Sequence, residues 1–280
     1  HTVTLTGLIP ATQYFYQIES TTIIGSDTAG ADANHYFKTH PSPGARSPAR
    51  IWVIGDSGTT STAKMDVYNA YLTRTGSTHT DAWLMLGDNA YNSGTDSEYQ
   101  VAVFDSYSAL LRNTVLWSCR GNHEADYGND TVYTDIHHFP TAGECGGVAS
   151  NTEIYYSFDH GNIHFVCLNT SGPGDIDDFP GNGGMIDWLE MDLKATDKDW
   201  IIAYMHHGPY TKGSHDSDTE HSHVKARRYM TPLLERYGVD LVLAGHSHSY
   251  ERSMLINGHH SNMSTGDSTS SNFVIGVHGV

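Results

Sequence analysis

The chain predicts an α/β architecture with a stretch of pure β character ahead of it, and three observations carry that prediction. Near the start, apolar and polar residues alternate strictly, and this period ends at a linker rich in Pro, Ser and Gly over residues 39–49. Beyond the linker, short apolar runs alternate with segments of helical period, the mark of mostly parallel strand pairing. Five polar motifs then stand where apolar runs end: Asp56-Ser57-Gly58, Gly87-Asp88-Asn89-Ala90-Tyr91, Gly121-Asn122-His123-Glu124, Met205-His206-His207 and Gly245-His246-Ser247-His248.

Residues 2–8 alternate, a turn follows at Ile9-Pro10-Ala11-Thr12, and alternation resumes through Tyr14, Tyr16 and Ile18. A β-hairpin is expected there, with Tyr36 and Phe37 closing a third strand, as in the last strands of a small sandwich. After the linker, residues 51–54 read as a short buried strand, 63–74 as a helix, 82–86 as a strand, 99–111 as a helix and 114–118 as extended. Residues 155–158 and 163–168, joined across Asp159-His160-Gly161-Asn162, read as an antiparallel hairpin. A helix around Trp188, Leu189 and Leu193, a strand at 200–205, a helix at 224–237 and a strand at 241–244 follow. A Ser/Thr-rich tract occupies residues 264–271. Because the sequence opens inside a strand pattern and stops within the apolar run 273–277, it is expected to be a piece of a longer protein.

Composition narrows the function. The 280 residues carry a net charge of −17, from 32 acidic and 15 basic side chains, so nucleic-acid phosphates are repelled at long range and no duplex partner is expected. A phosphate substrate then needs local cations, which metal ions supply. There are 19 His, far above ordinary usage. Cys119, Cys145 and Cys167 show no CxxC spacing, and the apolar surroundings of Cys119 and Cys167 predict buried free thiols. Sequons at Asn129, Asn169 and Asn262 permit glycosylation and mildly favour export. No apolar stretch reaches membrane-spanning length, and no signal peptide is visible.

In an open α/β sheet, ligands gather beyond the carboxyl ends of strands, where all five motifs fall. Asp56 and Asp88 offer hard anionic oxygens, Asn122 a neutral carbonyl oxygen, His206, His246 and His248 imidazoles, and Tyr91 a phenolate. Together they supply enough ligands for two metal ions. Mixed oxygen and nitrogen donors without thiolate suit Fe(III), Zn, Mn or Fe(II).

The pattern Asp-x-Gly, Gly-Asp-x-x-Tyr, Gly-Asn-His-Glu, a strand-end His and Gly-His-x-His resembles the calcineurin-like metallophosphoesterases, and within them the purple acid phosphatases, over residues 50–252. Flanking runs such as Tyr155-Tyr156-Ser157-Phe158-Asp159 and Tyr250-Glu251-Arg252 agree. The resemblance implies a sandwich of two mixed β-sheets flanked by helices over residues 50–280, preceded by a linker at 40–49 and the end of a fibronectin-like β domain at 1–39. Generic members carry His two residues after the first Asp; here Gly58 stands there, and Tyr91, three residues after Asp88, would replace the lost ligand. A phenolate on ferric iron gives these enzymes their colour. The implied first site is Fe(III) held by Asp56, Tyr91, His248 and a shared Asp88, and the second a divalent Zn, Fe or Mn held by Asp88, Asn122, His206 and His246.

The implied activity is acid phosphatase: attack of metal-bound hydroxide on small phosphate monoesters, without a phosphoenzyme, in an extracellular or periplasmic setting. A phosphodiesterase or nucleotide hydrolase shares the same core, with residues 172–184 as one specificity element, and a non-catalytic binding or adhesion protein is the reading from another class. His123 is the expected leaving-group acid and phosphate contact. His215 is expected to contact substrate and share in catalysis, and His207 to contact substrate, because the loop 210–216 lies where plant members place such residues. Glu124 is expected to hold His123 or be solvated, His221 and His223 to lie on the surface, and Tyr127 and Tyr133 to pack.

Overall fold

The computed structural model describes residues 2–22, 25–172 and 180–260. The tract 264–271, the apolar run 273–277, the sequon at Asn262 and part of the 172–184 loop lie outside the described residues. Four short strands open the chain: β1 (Gln13–Phe15), β2 (Gln17–Thr22), β3 (Gly25–Gly30) and β4 (Tyr36–Lys38). β1 pairs antiparallel with β4, where Tyr14 stacks on Phe37 at 5.6 Å, and β2 pairs antiparallel with β3. β3 was not foreseen, since its small and polar residues show no alternation.

The expected strand over residues 2–8 does not form. Its backbone has no ladder partner among the described residues, and Val3 and Leu5 stay 78% and 56% exposed, so alternation alone has nothing to pair with. The turn after it is real: Ala11 N donates to His40 O at 3.0 Å and Thr39 Oγ1 to Ile9 O at 2.6 Å. Tyr16 Oη, donating to Arg112 O at 2.8 Å, ties these strands to the rest of the chain.

Beyond the irregular linker, β5 (Ile51–Ile54), β6 (Ala82–Met85) and β7 (Leu116–Ser118) pair in parallel in the order β5-β6-β7. A helix at Thr62–Thr75 makes the crossover from β5 to β6. The run expected as one helix over 99–111 is instead Asp96–Tyr99, a wider π-helical turn at Gln100–Asp105, and Ser108–Leu111. Side chains take carbonyls there: Ser106 Oγ donates to Val101 O at 2.8 Å, and the buried Lys64 ammonium to Ala102 O at 3.0 Å. A helix at Asp130–Ile136 was not anticipated.

The second sheet contains β8 (Tyr156–His160), β9 (Ile163–Cys167), β10 (Trp200–His207) and β11 (Leu241–Gly245) in the order β11-β10-β9-β8, antiparallel between β8 and β9 and parallel elsewhere. The predicted 224–237 helix is broken in the same way, with a wide turn at Ala226–Met230 ahead of Thr231–Arg236. Pro232 near the start of that last segment brings no N–H and its ring crowds the turn before it.

Aromatic side chains join the two sheets. Trp117 on β7 stacks on Phe158 of β8 at 3.8 Å and 8°, and Phe158 stacks in turn on Phe165 of β9. Such pairs add about 0.5–1.5 kcal/mol each beyond their burial. A second apolar cluster packs the helix Met185–Ala195 through Ile186 and Leu189 against Val166, Ala203 and Met205. The α/β sandwich implied by the motifs is therefore present, one sheet parallel over its described strands and the other mixed. Cys119 and Cys167 are buried free thiols, as expected. No helix among the described residues is long and apolar enough to cross a membrane.

Candidate metal centre

Asp56 follows β5, Asp88 follows β6, Asn122 follows β7, His206 lies near the carboxyl end of β10, and His246 and His248 follow β11. Parallel pairing brings these ends together, and the backbone at the ends is strained to do so. Among the described residues six non-glycine residues have positive φ, and three are in this set: Asp56 at 54°, Asp88 at 51° and His246 at 65°. Each costs roughly 1–3 kcal/mol and persists because its surroundings hold it. Asp56 N donates to Gly87 O at 3.1 Å, and the Asp56 carboxylate accepts from His246 N at 3.0 and 2.9 Å.

Two groups of donors form around Asp88. Tyr91 Oη lies 3.1 Å from Asp88 Oδ2, 3.4 Å from Asp56 Oδ1 and 3.1 Å from His248 Nε2. On the other side, His206 Nε2 lies 3.4 Å from Asp88 Oδ1, 3.0 Å from Asn122 Oδ1 and 3.2 Å from His246 Nδ1. Asp88 thus turns one oxygen to each group, the arrangement a bridging carboxylate needs. His206 Nδ1 is 2.8 Å from the Leu86 carbonyl, which can only accept, so Nδ1 keeps its proton and Nε2 is the nitrogen turned to the group. All seven predicted ligands are brought together, and Tyr91 Oη and His206 Nε2 each face three atoms able to accept with at most one proton to offer, unless a metal ion intervenes. The donor set fits two ions of the oxygen- and nitrogen-seeking kind.

Two glycines of the motifs are there for space. A Cβ on Gly121 would lie 2.2 Å from Asp88 Oδ1, and one on Gly58 would lie 2.5 Å from Ala90 N. The Ala90 backbone therefore occupies the room that a side chain at position 58 would need, leaving the ligand position to Tyr91.

Without ions the charges are in conflict. Burial pushes the Asp56 carboxyl above its usual range, and the nearby Asp88 adds to the rise. Burial opposes the Asp88 charge too, but the hydrogen bond and charge of His206 outweigh it and hold that carboxyl at about 2. His206 rises to about 9 against its burial, through Asp88. His246 falls to about 3, through burial and then the charge of His206. Burial and the two carboxylates push the Tyr91 phenol far up, so a phenolate there requires a cation beside it.

His123 stands at the rim. Its Nδ1 donates to Asn92 O at 2.6 Å, its Nε2 lies 3.9 Å from Asp88 Oδ2, and its ring packs against Tyr91 and, stacked at 5.5 Å, against Tyr127. Tyr127 is 55% exposed and packs at the surface, whereas Tyr133 is buried in the core. His207 departs from the expected contact with substrate: it is buried behind His246, its ring 4.2 Å from that of His246 and its Nδ1 3.1 Å from Thr170 Oγ1. The His215 ring lies 3.8 Å from that of His246, tilted by 34°, and its Nδ1 donates to Glu220 at 2.8 Å. His223, expected on the surface, is wholly buried because its ring packs into the same group. The Asn169 sequon is fully buried, which removes it as a glycosylation site in the folded chain.

Sequence reasoning also misjudged Glu124. It neither holds His123 nor meets solvent; it is 1% exposed and accepts from the backbone N–H of Asp88, Asn89, Ala90 and Gly121 at 2.7–3.1 Å. One carboxylate thereby clamps the loop bearing Asp88 and Tyr91 to the loop bearing Asn122. Its place three residues after Gly121, ahead of a short helix at Asn122–Ala125, is a capping signal that could have revealed the reach back to Gly121.

Comparisons with known proteins identify the family. The chain is 28% identical to purple acid phosphatase 15 of Arabidopsis thaliana over 90% of its own length and 49% of that protein. It is 26% identical to the probable inactive purple acid phosphatase 27 of the same plant, over 90% of its own length and 43% of that protein. It thus spans about half the length of these curated relatives. A purple acid phosphatase isolated from yellow lupin (Lupinus luteus) seeds has the same fold, with a TM-score of 0.69 at 20% identity over 91% of this chain and 47% of that one. The calcineurin-like phosphoesterase model matches residues 49–250, from the end of the linker through the last His motif, and it is to that family that the chain belongs.

Proposed function

We propose that the chain hydrolyses small phosphate monoesters as an acid phosphatase, with Fe(III) held by Asp56, Tyr91, His248 and Asp88, and a divalent Zn, Fe or Mn held by Asp88, Asn122, His206 and His246. The observation that carries this reading is the division of Asp88, Oδ2 toward Tyr91 at 3.1 Å and Oδ1 toward His206 at 3.4 Å. When bound, such a pair of ions supplies positive charge for phosphate and acidifies water. Asp56 and Asp88 fix the positions, and Glu124 fixes the loops that carry Asp88 and Asn122. His123, anchored through Nδ1, presents Nε2 to the rim, where its protonated form donates to a leaving alkoxide. An extracellular or periplasmic setting fits the resemblance and the part-exposed sequon at Asn129.

Hydrolysis of an aryl phosphate monoester against the matching diester, from acid to alkaline pH and with protein purified without chelator, tests the reading. Preference for the monoester at acid pH supports it. Preference for the diester moves the assignment to a phosphodiesterase or nucleotide hydrolase, and inactivity on both with metals bound moves it to a binding protein. Tyr91→Phe should abolish visible charge-transfer absorption if iron and phenolate are in contact. His123→Ala should slow alkyl phosphates roughly 10²–10⁴-fold and aryl phosphates far less, because aryl leaving groups need less protonation; equal losses would remove the acid role.

A further inference from the structure

Beside the paired centre, Glu220 Oε2 faces nitrogens of three imidazoles, one of them on the ligand His246. Glu220 Oε2 lies 2.8 Å from His215 Nδ1, 3.7 Å from His246 Nε2 and 3.9 Å from His223 Nε2. Donor atoms of His215, Glu220 and His246 all lie within 4.8 Å of one another. His223 is 0% exposed, and its Nδ1 sits 2.5 Å from the Gly208 carbonyl, which can only accept. That bond puts the ring proton on Nδ1 and the lone pair on Nε2, and Nε2 has no hydrogen-bond partner among the described residues. A buried, unpaired nitrogen lone pair turned toward a carboxylate oxygen is two acceptors facing each other, which is costly unless a cation lies between them.

We propose that His215, Glu220 and His246, with His223 at the back, form a third cation site, for a divalent ion of the zinc class, adjoining the paired centre through His246. Two imidazoles and a carboxylate are a zinc donor set, and zinc bonds of about 2.0–2.1 Å in tetrahedral geometry put ligand atoms roughly 3.3 Å apart. The three distances from Glu220 Oε2 bracket that spacing. His246 is placed to join the two sites, with Nδ1 turned to His206 and Nε2 to Glu220. Entry is open: the side chains of His215 and Glu220 are 33% and 39% exposed while His223 closes the back of the site. On binding, the proton on His215 Nδ1 passes through solvent to Nε2, Nδ1 gives its lone pair to the ion, and the hydrogen bond to Glu220 is replaced by two metal bonds. His223 is anchored by Gly208 in the way a ligating imidazole is oriented by its other nitrogen. The site has its ligands in His215, Glu220 and His246 and does not need the paired centre to be filled.

The test is a metal count on the chain stripped of metal, dialysed against Zn(II) and analysed by elemental mass spectrometry, with circular dichroism to establish that each variant is folded. The native chain should hold three ions. The Asp56→Asn/Asp88→Asn variant should keep one, and adding Glu220→Gln should remove it. With Co(II) in place of zinc, the tetrahedral absorption retained by the double variant should vanish with Glu220→Gln. A double variant that binds no ion, or an ion that survives Glu220→Gln, overturns the proposal and leaves Glu220 as a residue that orients His215 and His246. A native chain holding a single ion, kept in the double variant and lost with Glu220→Gln, supports the third site and overturns the paired centre instead.

Discussion

A lone buried histidine and a histidine cluster sit at opposite ends of the same sheet, and they are built on opposite principles. His164, near the amino end of β9, is fully buried with Nδ1 2.7 Å from Asp159 and Nε2 2.8 Å from Asp192. Asp192 is completed by Ser157 Oγ and Val148 N at 2.8 Å each, and Asp159 by Lys198 at 3.1 Å. Two carboxylates face an imidazolium and an ammonium, so charge and hydrogen bonds close without outside help. At the carboxyl end of β10 and β11, the rings of His206, His207, His215 and His223 surround His246 at centroid distances of 3.8–5.3 Å, and burial lowers His207, His223 and His246. That cluster holds imidazoles that cannot all carry protons, with too few acceptors for them. A cluster complete in charge is part of the scaffold; one left incomplete is a ligand site.

The largest effect should come from Asp56→Asn. In metal-loaded protein it should take phosphatase activity to background and release metal. In metal-free protein it should leave the melting temperature unchanged or higher, because the ionised Asp56 carboxylate is itself disfavoured by burial and by Asp88. A metal-free variant that melts well below the native chain would mean that this end, too, is held together by its own charges, and the comparison would collapse.

His164→Leu should do the reverse. Removing the imidazolium leaves Asp192, 0% exposed, without its countercharge, at a cost of about 3–5 kcal/mol, or on the order of 10 °C in melting temperature. Activity per folded molecule at low temperature should be retained. Acidity gives a second handle. Burial works against the His164 charge, but the hydrogen bonds it donates to Asp159 and Asp192 raise it to about 9. A group raised above its unfolded value of 6.5 stabilises fully below that value, and the contribution is lost as pH climbs through 9. Thermal melts between pH 6 and 10 should therefore fall in the native chain and be flatter in His164→Leu. Parallel curves for the two proteins would show that His164 does not carry that dependence.

The ligand set was legible because its residues occur as short runs at the ends of apolar segments, and a parallel sheet gathers such ends whatever the rest of the fold does. The strand-and-helix order was legible for the same reason of period. What was not legible depends on tertiary partners. The alternation over residues 2–8 predicts a strand only if another strand lies alongside, and none does among the described residues. The wide turns at Gln100–Asp105 and Ala226–Met230 follow from Ser106, Lys64 and Pro232 acting on backbone groups, which helical period does not encode. His223 and His164 were equally silent, since one His in a polar stretch and another in an apolar strand say nothing of the carboxylates they meet.

Glu124 gives the smallest effect and the finest cut between scaffold and site. It touches no ligand side chain, yet the four amides it clamps belong to the loops carrying Asp88, Tyr91 and Asn122. Glu124→Ala should weaken metal binding at the paired centre about 10–100-fold, the usual loss when a group supporting ligands is removed. Competition with a chromogenic chelator would measure this. Glu124→Gln should lose less, since one of its terminal atoms still accepts while the other presents N–H to amides that donate. The activity of the metal-saturated variants should approach that of the native chain, because the ligands themselves are intact. Were metal affinity unchanged while the melting temperature dropped, Glu124 would belong with His164 as scaffold. Were affinity to fall with the melting temperature of the metal-free protein unaltered, the clamp would be part of the site, and the line between the two regions would run through a single carboxylate.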